Sequence, residues 1–589
     1  MPEFVSSTRR IVRAVLLTAV LCLPGKSLLA VSCRLVQHPP PSEADKALLG
    51  ADYAKAAALY QAGLASHPGD EELTMGLVHA LLRQQKVQEA TDAVKASLAV
   101  APSSAALITL RGEVELRQGT PWLALQTALD SNKLDVCNAR SHLLLARLGR
   151  LNSLYASSRK QLEVAHQLDP LDPDIRREWI QTLPLKQRIA EMEEYLSTPR
   201  GFDEEDLHRW RLYLENLKKM AAEPHKACHL ISPAASTEIP FAMIMRDPIH
   251  IRAFGLDVKV NGRNSRLQID TGADGLLVTQ SVAKHAGLKS FSQTEMSGIG
   301  DQGFKPGYTA YADSIRIGNL EFQDCEVRVL DSRSTMEDAD GLIGMDVFAH
   351  FLVTLDYPKR KLLLGPLPPR PGEAAAAPAL KTSTAEPDDS SVSTEPAKAA
   401  QQDKPVAQPG VTAQSGAPAP AQNVAVPTAA AHGPYDRYIA PEMKDYIPVY
   451  RNGHQLILPA AIDNGKLKLF ILDTGSFATT ISPQAAREVT KVRSDYFTHV
   501  KGLSGNVEKV YSADEITFHF AHLAQKVNGV VSFDTSRFSK AAGMEISGFF
   551  GATTLNLLTM HIDYRDGLVK FDYDPKRVPN VDYRNGSVR

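Results

Sequence analysis

Leu267-Gln268-Ile269-Asp270-Thr271-Gly272-Ala273-Asp274 ends an alternating apolar run on an Asp-Thr-Gly turn, and Phe470-Ile471-Leu472-Asp473-Thr474-Gly475-Ser476 does the same 203 residues later. A strand that stops at a carboxylate, a hydroxyl and a glycine presents a charged group at a loop tip, because glycine takes backbone angles that other residues resist. One such tripeptide in 589 residues also fits an ordinary strand-to-loop turn. The flanks separate the two readings. Gly262 and Gly465, each preceded by Asn, lie eight residues before their aspartates as hairpin signals between apolar runs. Val278-Thr279 matches Ile481-Ser482 and Ala283 matches Ala486 at the same offset of 203. Further on, Gly341-Leu342-Ile343-Gly344 matches Gly548-Phe549-Phe550-Gly551, and Asp356-Tyr357 matches Asp563-Tyr564, both at an offset of 207. The pattern predicts a duplicated domain whose second copy carries four extra residues between the two blocks.

These residues resemble the retropepsin and pepsin-like aspartic proteases, in which each half of a β-barrel site carries an Asp-Thr-Gly loop. A glycine-bearing flap hairpin follows, and then an apolar-apolar-Gly strand passes beneath the catalytic loop. The flap candidates are Gly298-Ile299-Gly300-Asp301-Gln302-Gly303 and Gly502-Leu503-Ser504-Gly505-Asn506. The resemblance implies Asp270 and Asp473 as the catalytic pair, Thr271 and Thr474 as hydroxyl braces between the loops, and Gly272 and Gly475 as points of close backbone approach. Ala273 is the retropepsin choice, whereas Ser476 would support its neighbouring carboxylate as in pepsin-like lobes. Asp274 matches the retropepsin residue that holds substrate backbone, and Phe477 replaces it in the second copy. Substrate contacts are expected from Asp274, Gly298, Ile299, Gly300, Gly502, Leu503 and Gly505.

Two carboxylates held within hydrogen-bonding distance share one proton, so that one acts as base toward water and the other donates to the carbonyl oxygen. This chemistry needs no metal and no cofactor. The chain has neither the His-Glu-x-x-His pattern of a zinc hydrolase nor the Gly-x-Ser-x-Gly elbow of a serine hydrolase. A formal net charge of −2 with mixed signs gives no electrostatic case for nucleic acid. Five cysteines at 22, 33, 137, 228 and 325 suggest neither a disulfide framework nor a metal box.

At the N-terminus, Arg9, Arg10 and Arg13 precede an apolar run from Ala14 to Leu23, then Pro24-Gly25 and the small residues Ala30-Val31-Ser32. These are the parts of a secretory signal over 1–32, and the run is too short for a permanent span. They predict export to the periplasm or cell surface. Cys33 directly after them also resembles a lipoprotein cleavage site, although Ala30 stands where that motif has Leu, so a lipid anchor there remains an alternative.

Residues 42–230 read as helical, with Pro68, Pro102 and Pro170 separated by 34 and 68 and with Ala56, Ala90, Ala124 and Ser158 recurring every 34. The third repeat has Val136 in place of proline. This period resembles tetratricopeptide repeats and implies antiparallel helix pairs stacked into a solenoid that folds without the barrels. It serves either as a surface for a peptide or protein partner or as a spacer. The expected architecture is thus multidomain: an α-helical solenoid, an all-β acid-protease barrel at 238–368, a Pro/Ala-rich disordered linker at 369–437 and a second barrel at 438–578. Three functional readings follow: an aspartic endopeptidase with one intramolecular site, the same chemistry with each barrel paired to its twin in another molecule, and a non-catalytic peptide-binding adaptor.

Overall fold

The computed structural model describes residues 32–198, 201–247, 250–331, 339–371, 380, 423–425, 436–577, 581–582 and 587–588. The expected signal sequence, Cys22 and most of the expected linker lie outside the described residues.

The N-terminal part is a run of helices from Glu43–Leu49 to Glu204–Ala222. Ala56, Ala90 and Ala124 are fully buried, which lets helices cross closely, and the Ser158 hydroxyl donates to Ala146 O at 2.7 Å. The helices that begin at Glu71, Ala105, Ala139 and Pro173 are each started by a side-chain cap, from Asp70, Ser104, Asn138 and Asp172. Each cap oxygen accepts a backbone N–H that the first turn leaves without a helical partner. The caps stand two residues after Pro68, Pro102, Val136 and Pro170, so the missing third proline leaves the helix start intact.

The rest is β-rich. A 9-stranded and a 10-stranded sheet follow in sequence, and a 6-stranded sheet joins them. In the first, strand Gly341–Gly344 runs parallel to Arg263–Asp270, with Gly344 opposite Asp270. In the second, Gly548–Phe550 runs parallel to Leu467–Leu472, with Phe550 opposite Leu472. Each aspartate therefore leaves its strand beside a Gly-apolar-apolar strand. The 6-stranded sheet takes strands from both parts, and at its centre Phe351–Asp356 pairs antiparallel with Thr559–Asp563. The two β units are thus joined within one chain. The first sheet also recruits the strand His229–Leu230, so β structure begins before residue 238.

Several expectations are corrected. Cys33 is bonded to Cys137 and Cys228 to Cys325, so the described cysteines do form disulfides. Cys33 is buried against the helices Ala139–Leu151 and Tyr155–Leu168, with its sulfur in the bond to Cys137. The bond fastens the chain at the turn where the third repeat lacks its proline.

The helical array is also not a separate arm. Leu116, Leu144, Leu148 and Leu151 share a core with Tyr450, Ile457, Phe533, Met544 and Ile546 of the second β unit. Glu545 N–H donates to Arg117 O at 3.0 Å, and Asp436 accepts from Ala156 N–H and Ser157 N–H at 2.9 and 2.8 Å. The described ends of the linker are likewise packed, with Arg370 2.5 Å from the buried Asp566.

Candidate active site

The two Asp-Thr-Gly loops meet. Thr271 N–H donates to Thr474 Oγ1 and Thr474 N–H to Thr271 Oγ1, both at 3.0 Å. Each hydroxyl then donates onward to the strand of the opposite unit, Thr271 to Leu472 O at 2.8 Å and Thr474 to Ile269 O at 3.2 Å. Both threonines are buried, so this reciprocal bonding satisfies polar groups that would otherwise cost free energy.

The grip sets the aspartates against each other, each carboxyl facing the glycine of the opposite loop and each acting on the other's titration. Asp270 accepts the Gly272 N–H at 2.8 Å and Asp473 the Ser476 N–H at 2.9 Å. A Cβ on Gly272 would lie 2.9 Å from Asp473 Oδ1, and one on Gly475 would collide with Asp270 Oδ2. Any side chain there would push the carboxylates apart, which is why both loops need glycine.

Burial raises the pKa of both aspartates, but not equally. Asp473 lies well above the ordinary carboxylate range, through burial and then the neighbouring charge of Asp270. For Asp270 the rise from burial is opposed by the Gly272 N–H, by Asp473 and by His454. Both directions follow from burial and mutual proximity, and the pair titrates as a unit that holds one proton between its two carboxyls.

His454 was not singled out from the sequence. Its Nε2 donates to Gly272 O at 3.0 Å from a turn of the second β unit. Tyr357 is the other addition, a buried side chain at the lining of the cavity, with burial pushing its pKa up. The sequence signal for Tyr357 was its repeat as Tyr564; for His454 there was none, since the position 203 residues earlier is Ile251.

The remaining expected site residues divide. Asp270, Gly272, Ala273, Asp274, Asp473, Thr474, Gly475, Ser476, Gly298, Ile299, Gly502 and Leu503 line one cavity of about 1790 Å³. That exceeds the roughly 300–1,000 Å³ of small-molecule pockets and suits an extended chain. Thr271 lies beneath it in the grip. Gly300 and Gly505 are not cavity-lining; they pack loop against loop, and a Cβ on Gly300 would collide with Gly505 O. Ser476 supports Asp473 through its N–H, while its hydroxyl donates to Ala478 O at 3.1 Å. The Asp274 carboxylate is paired with Arg328 at 2.7 Å.

Residues 256–347 match the family described as Aspartyl protease, and residues 47–114 match a Tetratricopeptide repeat family. Among solved structures, the aspartic proteinase from Irpex lacteus aligns at 10% identity over 58% of this chain and 98% of its own, with a TM-score of 0.31. A thermophilic TPR protein of Thermus thermophilus aligns at 19% identity over 28% of this chain and 90% of its own, with a TM-score of 0.23. No curated protein matches. By the family matches, the chain carries a tetratricopeptide region at 47–114 followed by an aspartyl-protease-family region at 256–347.

Proposed function

We propose that the protein is an exported aspartic endopeptidase with one intramolecular site, built from two copies of the same β unit and using Asp270 and Asp473. The observation that carries this reading is the reciprocal threonine grip, which sets the two buried carboxyls face to face. In this reading Asp270 is the charged member and takes a proton from water as the water oxygen attacks the scissile carbonyl carbon. Asp473, in the same reading, carries the shared proton and donates it to the carbonyl oxygen. Collapse of the tetrahedral species breaks the C–N bond, with a proton delivered to the leaving amine. The substrate is an unfolded or extended polypeptide, consistent with the size of the cavity.

An intramolecular site is favoured over pairing between molecules by the strand pairing of Phe351–Asp356 with Thr559–Asp563, which a homodimer of either unit would have to exchange. Export is supported by the two disulfides, which persist in oxidising compartments. The test is hydrolysis of a denatured protein at mildly acid pH, blocked by pepstatin. Asp270→Asn and Asp473→Asn should each lower kcat/KM by about 10²- to 10⁴-fold with the fold intact. An inert wild-type chain that still binds extended peptide would replace the enzyme by an adaptor. Substantial activity in either single variant would refute the shared pair.

A further inference from the structure

The two glycine loops are bonded to each other over the cavity. Gly298 N–H donates to Ser504 Oγ at 3.0 Å, Ser504 N–H to Ile299 O at 3.0 Å, Gln302 N–H to Ser504 O at 2.8 Å and Asp301 N–H to Asn506 O at 3.0 Å. Gly298, Ile299, Gly502 and Leu503 of these loops line the cavity, so the separation of the loops sets the room left there for a polypeptide.

The first loop is also held from outside. The short helix Ser536–Ala542 lies where three parts of the molecule meet. Arg537 Nη1 donates to Gly300 O at 2.7 Å, and Phe538 lines the cavity, edge-on to Phe549 at 4.9 Å. Ser539 O accepts from Arg117 Nη1 at 2.6 Å, and Lys540 Nζ stands 3.5 Å from Asp203 Oδ2. Arg117 ends a helix of the repeat array, and Asp203 caps the helix Glu204–Ala222.

That long helix lies along the hairpin carrying the first loop. The Arg209 guanidinium sits 4.6 Å over the Phe304 ring, Asn216 Oδ1 accepts from Ser292 Oγ at 2.7 Å, and His208 Nε2 lies 3.5 Å from Glu295 Oε1. One loop is therefore fixed at its tip by Arg537 and along its hairpin by the helical array, and a single short helix connects the two holds.

We propose that Arg537 is a positioning residue that keeps the first glycine loop closed over the aspartate pair, and that the helical array sets how readily the loop opens by gripping helix Ser536–Ala542. The array then acts on access to the site, beyond any recruitment of substrate. The effect on turnover rests on the protease reading, whereas the effect on loop opening does not.

The experiment is amide hydrogen exchange on the full chain, with turnover of an unfolded protein measured on the same samples. A hydrogen bond from a charged donor holds a site closed by roughly tenfold or more. In Arg537→Ala the amides of Gly298, Asp301, Gln302 and Ser504 should therefore exchange about tenfold faster, while those of Thr271 and Thr474 stay at the wild-type rate. Arg537→Lys, which keeps a donor, should fall between. Lys540→Ala, remote from the loop, should move the same amides in the same direction by less.

A larger open fraction lowers the apparent KM in proportion. A looser loop positions substrate worse and lowers kcat, so the two constants should fall together in Arg537→Ala. Unchanged loop amides in Arg537→Ala, or a rise shared equally by Thr271 and Thr474, would overturn the latch. Unchanged amides in Lys540→Ala would overturn its link to the array. If the loop amides respond but no variant cleaves, the protease reading fails and the latch stands.

Discussion

His454 reaches the Asp270 loop from the second β unit, whereas the matching position in the first unit is Ile251, which has no proton to give. The two aspartates therefore sit in different environments although their loops read alike. Because His454 opposes the rise in the Asp270 pKa, its loss should raise that pKa further. In His454→Leu the acid limb of the kcat/KM profile should move to higher pH. His454→Gln, which keeps a donor toward Gly272 O but not the charge, should move it about as far. An acid limb at the same pH in all three proteins would remove His454 from the account. The aspartates, threonines and glycines of the grip were legible because turn chemistry fixes those residue types. His454 was not, because a lone histidine after an Asn-Gly pair carries no spacing that points at a loop 182 residues away.

At the level of elements, the 34-residue period was visible in Ala56, Ala90, Ala124 and Ser158, which helix crossing keeps small. The same period runs through the caps Asp70, Ser104, Asn138 and Asp172, and there it is hidden by a change of residue type. Any oxygen that can accept a first-turn N–H will do, so the role repeats where the identity does not. Ser104 accepts the Leu107 N–H at 3.1 Å and its hydroxyl bonds to Glu71. Ser104→Ala should cost about 1 kcal/mol, read as a lower midpoint in urea with an unchanged slope, and Ser104→Asp should recover most of it. Equal midpoints for wild type and Ser104→Ala would show that the neighbouring helices, rather than the cap, fix this start. The docking of the array onto the second β unit was illegible for a related reason. Leu116, Leu144, Leu148 and Leu151 read as ordinary inward positions of a helix pair, and only the fold shows that they also face Tyr450 and Met544. The disulfides were missed because cysteines 104 and 97 residues apart carry no local spacing signal.

Across the whole molecule, the buried carboxyls of the two regions respond to pH in opposite senses. In the β part, burial and the charge of Asp566 raise Asp563 to about 7, and Asp473 and Asp270 are also raised. A carboxyl whose pKa is raised by folding binds its proton more tightly in the native state. The stability it contributes is therefore complete below the unfolded value near 3.8 and is lost as pH climbs through the folded value, here from about 4 to 7. In the helical array, burial alone would raise Glu113, Asp174 and Glu178, but the arginines around them prevail and hold all three down. Glu113 is held by Arg140, at 2.8 Å, and also by His79, at 3.0 Å. These groups stabilise the fold above their unfolded values and cease to do so as pH falls below about 4. The two trends cross in the mildly acid range. Calorimetric melting of the full chain should therefore give its highest Tm near pH 5, a decline toward pH 7 and a steeper loss below pH 4. Asp563→Asn removes one titrating group from the β part without altering its size, so it should flatten the decline between pH 5 and 7 while leaving the acid limb in place. A Tm that rises steadily from pH 5 to 8, or an Asp563→Asn profile parallel to wild type, would show that the buried carboxyls between the two β units do not govern stability in that window.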